Sequence, residues 1–178
     1  MEEWNVLATA HEGRRDALLT ALRRLARFRP GGYRNVLICT VDDPHQFLRQ
    51  VADALRRDTL LATALARVIP IDVTLHFDPN DAASTIAAGA EPLVDRLAGG
   101  TFFVRVERRG LKGKLHSQTL ERALGDLVWR ALEARGHQPR VSFHDPDAVL
   151  VVETLGDRVG LAVLPRALRA EFPFVLVR

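Results

Sequence analysis

Ten consecutive residues, Arg108-Arg109-Gly110-Leu111-Lys112-Gly113-Lys114-Leu115-His116-Ser117, hold four cations and no acid. The two lysines of the chain, Lys112 and Lys114, both lie here; every other cation is arginine. An apolar run, Thr101–Glu107, precedes the segment, and a helical period follows it. It therefore reads as a loop running from a strand into a helix. Such a loop suits an anion, because the first N–H groups of a helix have no internal partners and the helix dipole is positive there. Arg108, Arg109, Lys112 and Lys114 would surround the anion, and Gly110 and Gly113 would let the backbone approach it. His116 can stack or donate a hydrogen bond. Ser117, at the expected N-cap, and Gln118 can reach phosphate or ribose oxygens. The alternative is a solvated basic loop in which Ser117 only caps the helix.

Other chemistries fit less well. Gly113-Lys114 before a helix has the look of a nucleotide-binding P-loop, but the first required glycine falls at Arg108. The residue after Lys114 is Leu115, not Ser or Thr, so a nucleoside triphosphatase is not expected. Asp42, Asp43 and His45 could suggest a metal, but Asp43 is better explained as a helix cap, and no metal is expected. His144, Asp145 and Asp147 flank Pro146, where turn chemistry accounts for them. Cys39 is the single cysteine and lies in an apolar run, so it reads as a small core hydrophobe. No nucleophile elbow, zinc-protease helix or dinucleotide fingerprint occurs, and no cofactor is expected. Trp4 and Trp129 read as packed, and at least one of Phe102 and Phe103 as core.

The elements that must position the loop follow from periodicity. Asn5–Ala10 and Val36–Val41 read as strands, Gly13–Arg29 as a helix stopped by Pro30-Gly31-Gly32, and Asp43-Pro44 as the start of a second helix. Thr59–Ala66 reads as a short helix and Val68–Phe77 as one alternating strand. The order is β-α-β-α-β. From Pro79 a helical stretch runs to Gly99-Gly100, with a kink or break expected at Gly89 and Pro92. Then come the strand Thr101–Glu107, the loop, and a helix over Gln118–Arg135 with Leu120, Leu124, Val128 and Leu132 on its apolar face. Arg122 and Asp126, like Asp126 and Arg130, have the spacing of helical ion pairs. Arg140–Phe143 reads as a short strand, Ala148–Leu155 and Arg158–Leu164 as a hairpin turning at Gly156-Asp157, and Phe172–Val177 as a last edge strand. The second half is α-β-α-β-β-β. The two halves meet near residues 77–81 with no flexible linker and are expected to pack together.

The chain has 178 residues, of which 47% are hydrophobic and 26% charged, as in an ordinary globular protein. One cysteine excludes a disulfide scaffold or a cysteine-based zinc cluster. No apolar run is long enough to span a membrane, and the acidic start Met1-Glu2-Glu3-Trp4 has no secretory character, so a cytoplasmic protein is expected. The net charge of +3 is unevenly placed. Residues 101–140 carry 9 cations against 4 acids, whereas 1–100 carry 12 against 13 and 141–178 carry 4 against 5. A basic cluster on a nearly neutral chain is the footprint of a polyanionic partner.

The run Thr101-Phe102-Phe103-Val104-Arg105-Val106-Glu107-Arg108-Arg109-Gly110-Leu111-Lys112-Gly113-Lys114-Leu115-His116-Ser117-Gln118, with Leu120-Glu121-Arg122 after it, resembles the centre of a THUMP domain. The turn His144-Asp145-Pro146-Asp147 before a valine-rich strand and the segment Gly160–Arg166 are similar too. The resemblance is closest to stand-alone THUMP proteins that accompany tRNA cytidine acetylation, which have a similar Arg-Arg-Gly…Lys-Leu-His-Ser run. It implies an α+β fold, with a ferredoxin-like N-terminal subdomain over 1–77 packed on a THUMP domain over 78–168 and a tail over 169–178. It implies binding of tRNA at the acceptor stem and 3′ end, with Arg105, Arg108, Arg109, Lys112, Lys114, His116, Ser117, Arg122 and Arg166 as RNA contacts. Arg105 has an alternative, pairing with Glu107 or Glu153. No catalytic domain of the kind usually fused to THUMP is present. The expectation is therefore a non-catalytic accessory protein that presents tRNA to a separate enzyme, such as a tRNA acetyltransferase. The rivals are a small enzyme with a phosphate-bearing substrate at the same loop and a protein-interaction module.

Overall fold

The structure is a computed structural model and describes residues 3–178. It divides into two compact units, one running to Ile71 and including Glu171–Leu176, the other holding Asp72–Ala170 and Val177–Arg178.

The first unit is built on a sheet of four strands, β1 (Val6–Ala10), β2 (Arg29–Pro30), β3 (Val36–Cys39) and β4 (Leu65–Pro70), in the order β2-β3-β1-β4. All neighbours are antiparallel. With α1 (Arg15–Leu22) between β1 and β2 and α2 (Pro44–Leu55) between β3 and β4, this is the ferredoxin-like βαββαβ order, with α3 (Thr59–Ala64) added. Asp43 caps α2 by accepting from the Gln46 N–H at 3.0 Å, and Pro44 occupies its first position. Leu18, Leu22, Phe47, Leu48, Val51 and Leu61 supply the buried helical faces. The expected long helix Gly13–Arg29 is cut short. The chain leaves the helix after Leu22, and Arg29–Pro30 joins the sheet as an edge strand, where proline's missing N–H is tolerated.

The second unit is a five-stranded mixed sheet in the order β5-β9-β8-β6-β7. Its strands are β5 (Val73–His76), β6 (Thr101–Glu107), β7 (Arg140–Val141), β8 (Ala148–Leu155) and β9 (Arg158–Pro165). β6 runs parallel to both β7 and β8, and the other pairs are antiparallel. Two helices, α4 (Ala82–Ala90) and α5 (Ser117–Ala134), bury Ile86, Leu120, Leu124, Val128 and Leu132 in one core with alternate strand residues such as Phe102, Val104, Leu150, Val152 and Leu161. As the glycine and proline suggest, α4 ends at Ala90 and continues only as a 3₁₀ stretch, Glu91–Leu97.

Three expectations are corrected. Val68–Phe77 is not one strand. Pro70 has no N–H, the Ile71 N–H donates to Asn5 and the Asp72 N–H donates to Leu161, so the chain leaves one sheet and enters the other. The Asp72 carboxylate holds the new position by accepting from the Val163 N–H at 2.9 Å and pairing with Arg96 at 3.0 Å. Phe172–Val177 is not an edge strand. The segment follows a short helix, α6 (Arg166–Glu171), makes one ladder-like contact from the Val68 N–H to the Phe174 carbonyl, and is anchored by buried Phe172 and Val175. The strand at Arg140 is only two residues long. No helix among the described residues is long and apolar enough to cross a membrane.

Candidate functional site

The basic loop begins where β6 leaves the sheet, and the first thing the structure does there is fasten Arg109. Its N–H donates to Thr154 Oγ1 at 2.9 Å, and its carbonyl accepts from the Gly156 N–H at 2.9 Å and from the Thr154 hydroxyl at 3.3 Å. Its guanidinium donates to Glu153 at 2.5 Å, and the Glu153 side chain is fully buried. Burying a carboxylate is costly unless it is paired and hydrogen-bonded. Arg109, expected to contact RNA, is thereby committed to tying the loop to the β8–β9 hairpin.

Past Arg109 the backbone turns through the left-handed region at Gly110 (φ 82°), Leu111 (φ 52°) and Gly113 (φ 81°). Glycine relieves the cost at two of these positions. At Leu111 the carbonyl accepts from the Lys114 and Leu115 N–H groups, both at 3.0 Å, and the side chain packs on the core beside Leu115. With both leucines turned inward, Lys112, Lys114 and His116 are exposed. The side chains of Lys112, Lys114, His116 and Arg122 make no hydrogen bond or ion pair among the described residues. Arg108 is half-buried and donates to the Gly110 carbonyl.

Helix α5 starts one residue earlier than expected. His116, extended at φ −110° and ψ 118°, is the N-cap, Ser117 is the first helical residue, and no side chain caps the turn. The N-cap role expected for Ser117 is corrected accordingly. The open first-turn N–H groups therefore face the same loop that exposes Lys112 and Lys114. Arg122 lies on the second turn, and Asp126, its expected helical partner, forms no ion pair with it.

Two further expected contacts are engaged by carboxylates. Arg105 pairs with Glu121 at 3.5 Å, rather than with Glu107 or Glu153, and lies 5.2 Å from the centre of the Phe103 ring. Glu121 also accepts from the Val106 N–H at 2.9 Å, which ties α5 to β6. Arg166 pairs with Asp145 at 3.1 Å and Asp147 at 2.7 Å. It also lies at the far end of the sheet. The loop follows Glu107, which is in register with Glu153, whereas Arg166 follows Pro165, which is in register with Ala148. Five strand residues separate those positions, roughly 17 Å. The structure thus gathers Arg108, Lys112, Lys114, His116, Ser117 and Arg122 and leaves Arg166 out.

Asp147 has a structural role there. It accepts from the Thr101 N–H at 2.7 Å and from the Thr101 hydroxyl at 3.1 Å, and these bonds, with Arg166 nearby, hold its carboxyl below the usual carboxylate range. The carboxylates of Asp145 and Asp147 raise the Arg166 pKa in turn. Burial pushes the Cys39 thiol up to about 12, so it is not a nucleophile at neutral pH. Among the described residues no group of three or more His, Cys, Asp and Glu is placed to hold a metal ion.

Sequence reasoning missed a cavity beside the loop. It lies between α5 and the β6–β7 edge, and Phe103, Gly125, Trp129 and Phe143 help to line it. Phe102 and Phe103 are both buried, and Trp129 packs, partly buried, against the core as expected while also lining the cavity. The available signal was a glycine in the middle of the best helix.

Residues 81–164 match the family model of the THUMP domain. This segment is a THUMP domain. A curated relative, the probable tRNA sulfurtransferase of Methanosarcina mazei, is 34% identical over 74 residues, covering 42% of this chain and 18% of the relative. TrmN from Thermus thermophilus superposes with a TM-score of 0.65 at 21% identity, covering 90% of this chain and 45% of that one. A 4-thiouridine synthetase, solved with RNA and bound ATP, gives a TM-score of 0.56 at 16% identity, covering 91% and 41%. The chain thus spans less than half the length of each of these proteins. The two structural likenesses extend beyond the THUMP segment and show a shared fold across both units.

Proposed function

We propose that this THUMP protein binds tRNA at the acceptor stem and 3′ end and presents it to a catalytic centre that modifies it. The observation carrying this reading is the group of exposed, uncompensated cations, Lys112, Lys114 and Arg122, around the uncapped start of α5. Arg108 and the hydroxyl of Ser117 complete the surface. Such a surface neutralises phosphates and meets 2′-hydroxyls without reading base sequence. The names of the relatives support the reading, since one is named a probable tRNA sulfurtransferase and another was solved with RNA.

In the mechanism the chain does no chemistry. The loop and the helix start hold the RNA, and the rigid anchor at Arg109, Glu153 and Thr154 fixes the loop to the sheet. Holding one end of a folded RNA sets the distance to the base being modified, which lowers the entropic cost of reaction elsewhere. The finer form of the proposal is delivery to a separate cytidine N4-acetyltransferase. It is supported by the Arg108-Arg109-Gly110…Lys114-Leu115-His116-Ser117 run.

Gel-shift titration with tRNA, with and without its single-stranded 3′ end, tests the binding step. Removal of that end weakens binding, and the double change Lys112→Glu with Lys114→Glu abolishes it while leaving the thermal midpoint unchanged. A charge-reversed protein that binds as before refutes the loop assignment. Loss of N4-acetylcytidine from the tRNA of a deletion strain tests the finer step, and an unchanged content refutes it.

A further inference from the structure

The cavity beside the loop, about 460 Å³ in volume, has features that packing within the protein does not explain. Phe143 is 79% exposed at its rim, with its ring centre 5.9 Å from that of Phe103. A large aromatic left in water at the mouth of a cavity that a partly buried tryptophan also lines marks a contact surface. Gly125 lies mid-way along the 18-residue helix α5, where glycine is the poorest residue after proline. Neither conformation nor crowding requires it: its φ is not positive, and a Cβ built on it meets nothing within 4 Å. The missing side chain opens the cavity and exposes the helix backbone to whatever enters. Arg105 Nε is buried at this wall with no hydrogen-bond acceptor.

The combination of flat aromatic walls and a polar edge suits a planar heterocycle. We propose that this cavity receives one unstacked nucleobase of the RNA whose phosphates rest on the 108–116 loop. The base stacks against the exposed ring of Phe143, which is backed by the buried ring of Phe103. The carboxylates of Glu121 and Asp126 can accept from an exocyclic amine, and Arg105 can donate to a ring nitrogen or carbonyl. Gln118 and Arg122 line the cavity and also stand on the first two turns of α5, so the phosphate surface and the base site are continuous. Gln118 to Gly125 is seven residues, roughly 10 Å along the helix. The inference rests on the RNA-binding reading above and adds to it a base-specific contact.

The test uses a hairpin RNA with a single-stranded 3′ tail, each tail nucleotide replaced in turn by an abasic one. Filter binding is measured with the wild-type protein and with Gly125→Leu and Phe143→Ala. Gly125→Leu fills the cavity, and Phe143→Ala removes an exposed ring that the fold does not need. In the wild type, one abasic position weakens binding roughly 5- to 150-fold, the range expected for a lost base–aromatic stack. Both variants bind the intact RNA at that weakened level, are indifferent to the abasic change, and keep the wild-type salt dependence. If Gly125→Leu does not fold, Phe143→Ala alone carries the comparison. Wild-type binding with a steep salt dependence but no sensitive abasic position overturns the base site alone and leaves the cavity to another occupant, such as an apolar protein segment. Variants that bind intact RNA as tightly as the wild type overturn it equally. A wild-type protein that binds no RNA overturns both this inference and the reading of the loop.

Discussion

Replacing Lys112 and Lys114 by alanine removes two exposed cations without breaking a side-chain hydrogen bond. The fold should not change, so the whole effect appears in RNA binding and in its response to salt. Each phosphate contact on a single strand contributes about 0.7 to the slope of log affinity against log salt. Four cations remain available after the structure is considered, Arg108, Lys112, Lys114 and Arg122, so the wild-type slope is roughly −3 on that basis. Without the two lysines the slope falls to roughly −1.4. Extrapolated from 1 M salt, where the counterion term vanishes, the deficit is about 25-fold near 0.1 M and about 130-fold near 0.03 M. Filter binding of tRNA across that range measures both quantities. Arg166→Ala is the internal control, because Arg166 is occupied by Asp145 and Asp147 at the other end of the sheet. A double-alanine protein with the wild-type slope, or an Arg166→Ala protein whose slope falls as far, refutes the count of contacts.

Removing Arg109 should act on the fold instead: Arg109→Ala leaves the buried Glu153 carboxylate without its guanidinium and costs about 3 kcal/mol or more in urea denaturation. A change below about 1 kcal/mol would show that the pair is not an anchor. Asp147 has a folded pKa below its unfolded one, so it stabilises the protein above the unfolded value and that contribution is lost as pH falls through the folded value. Asp147→Asn should therefore be less stable than the wild type at pH 7, with the gap closing below about pH 4 in acid denaturation; a gap independent of pH would contradict the assignment.

Local patterns in the sequence determined much of this protein. The 3.6-residue period located α5, the alternation and Gly156-Asp157 located the β8–β9 hairpin, and charge alone located the basic loop. These features are legible because each depends on neighbours within a turn or a strand. The short strand β2 and the break at Pro70 were not, because both depend on which sheet supplies the hydrogen-bond partner.

Only the tertiary structure decided which cations of the site are available. Arg109 looks like Lys112 in sequence, yet its partner Glu153 stands 44 residues away and meets it because β6 lies directly beside β8. Arg105 is held by Glu121 because α5 packs on β6, and Arg166 is removed from the site by the direction of β9. A charge on a sequence is always a candidate contact. Whether it faces solvent or a buried carboxylate is fixed by strand order, and strand order is set by the burial of the whole sheet rather than by any local pattern.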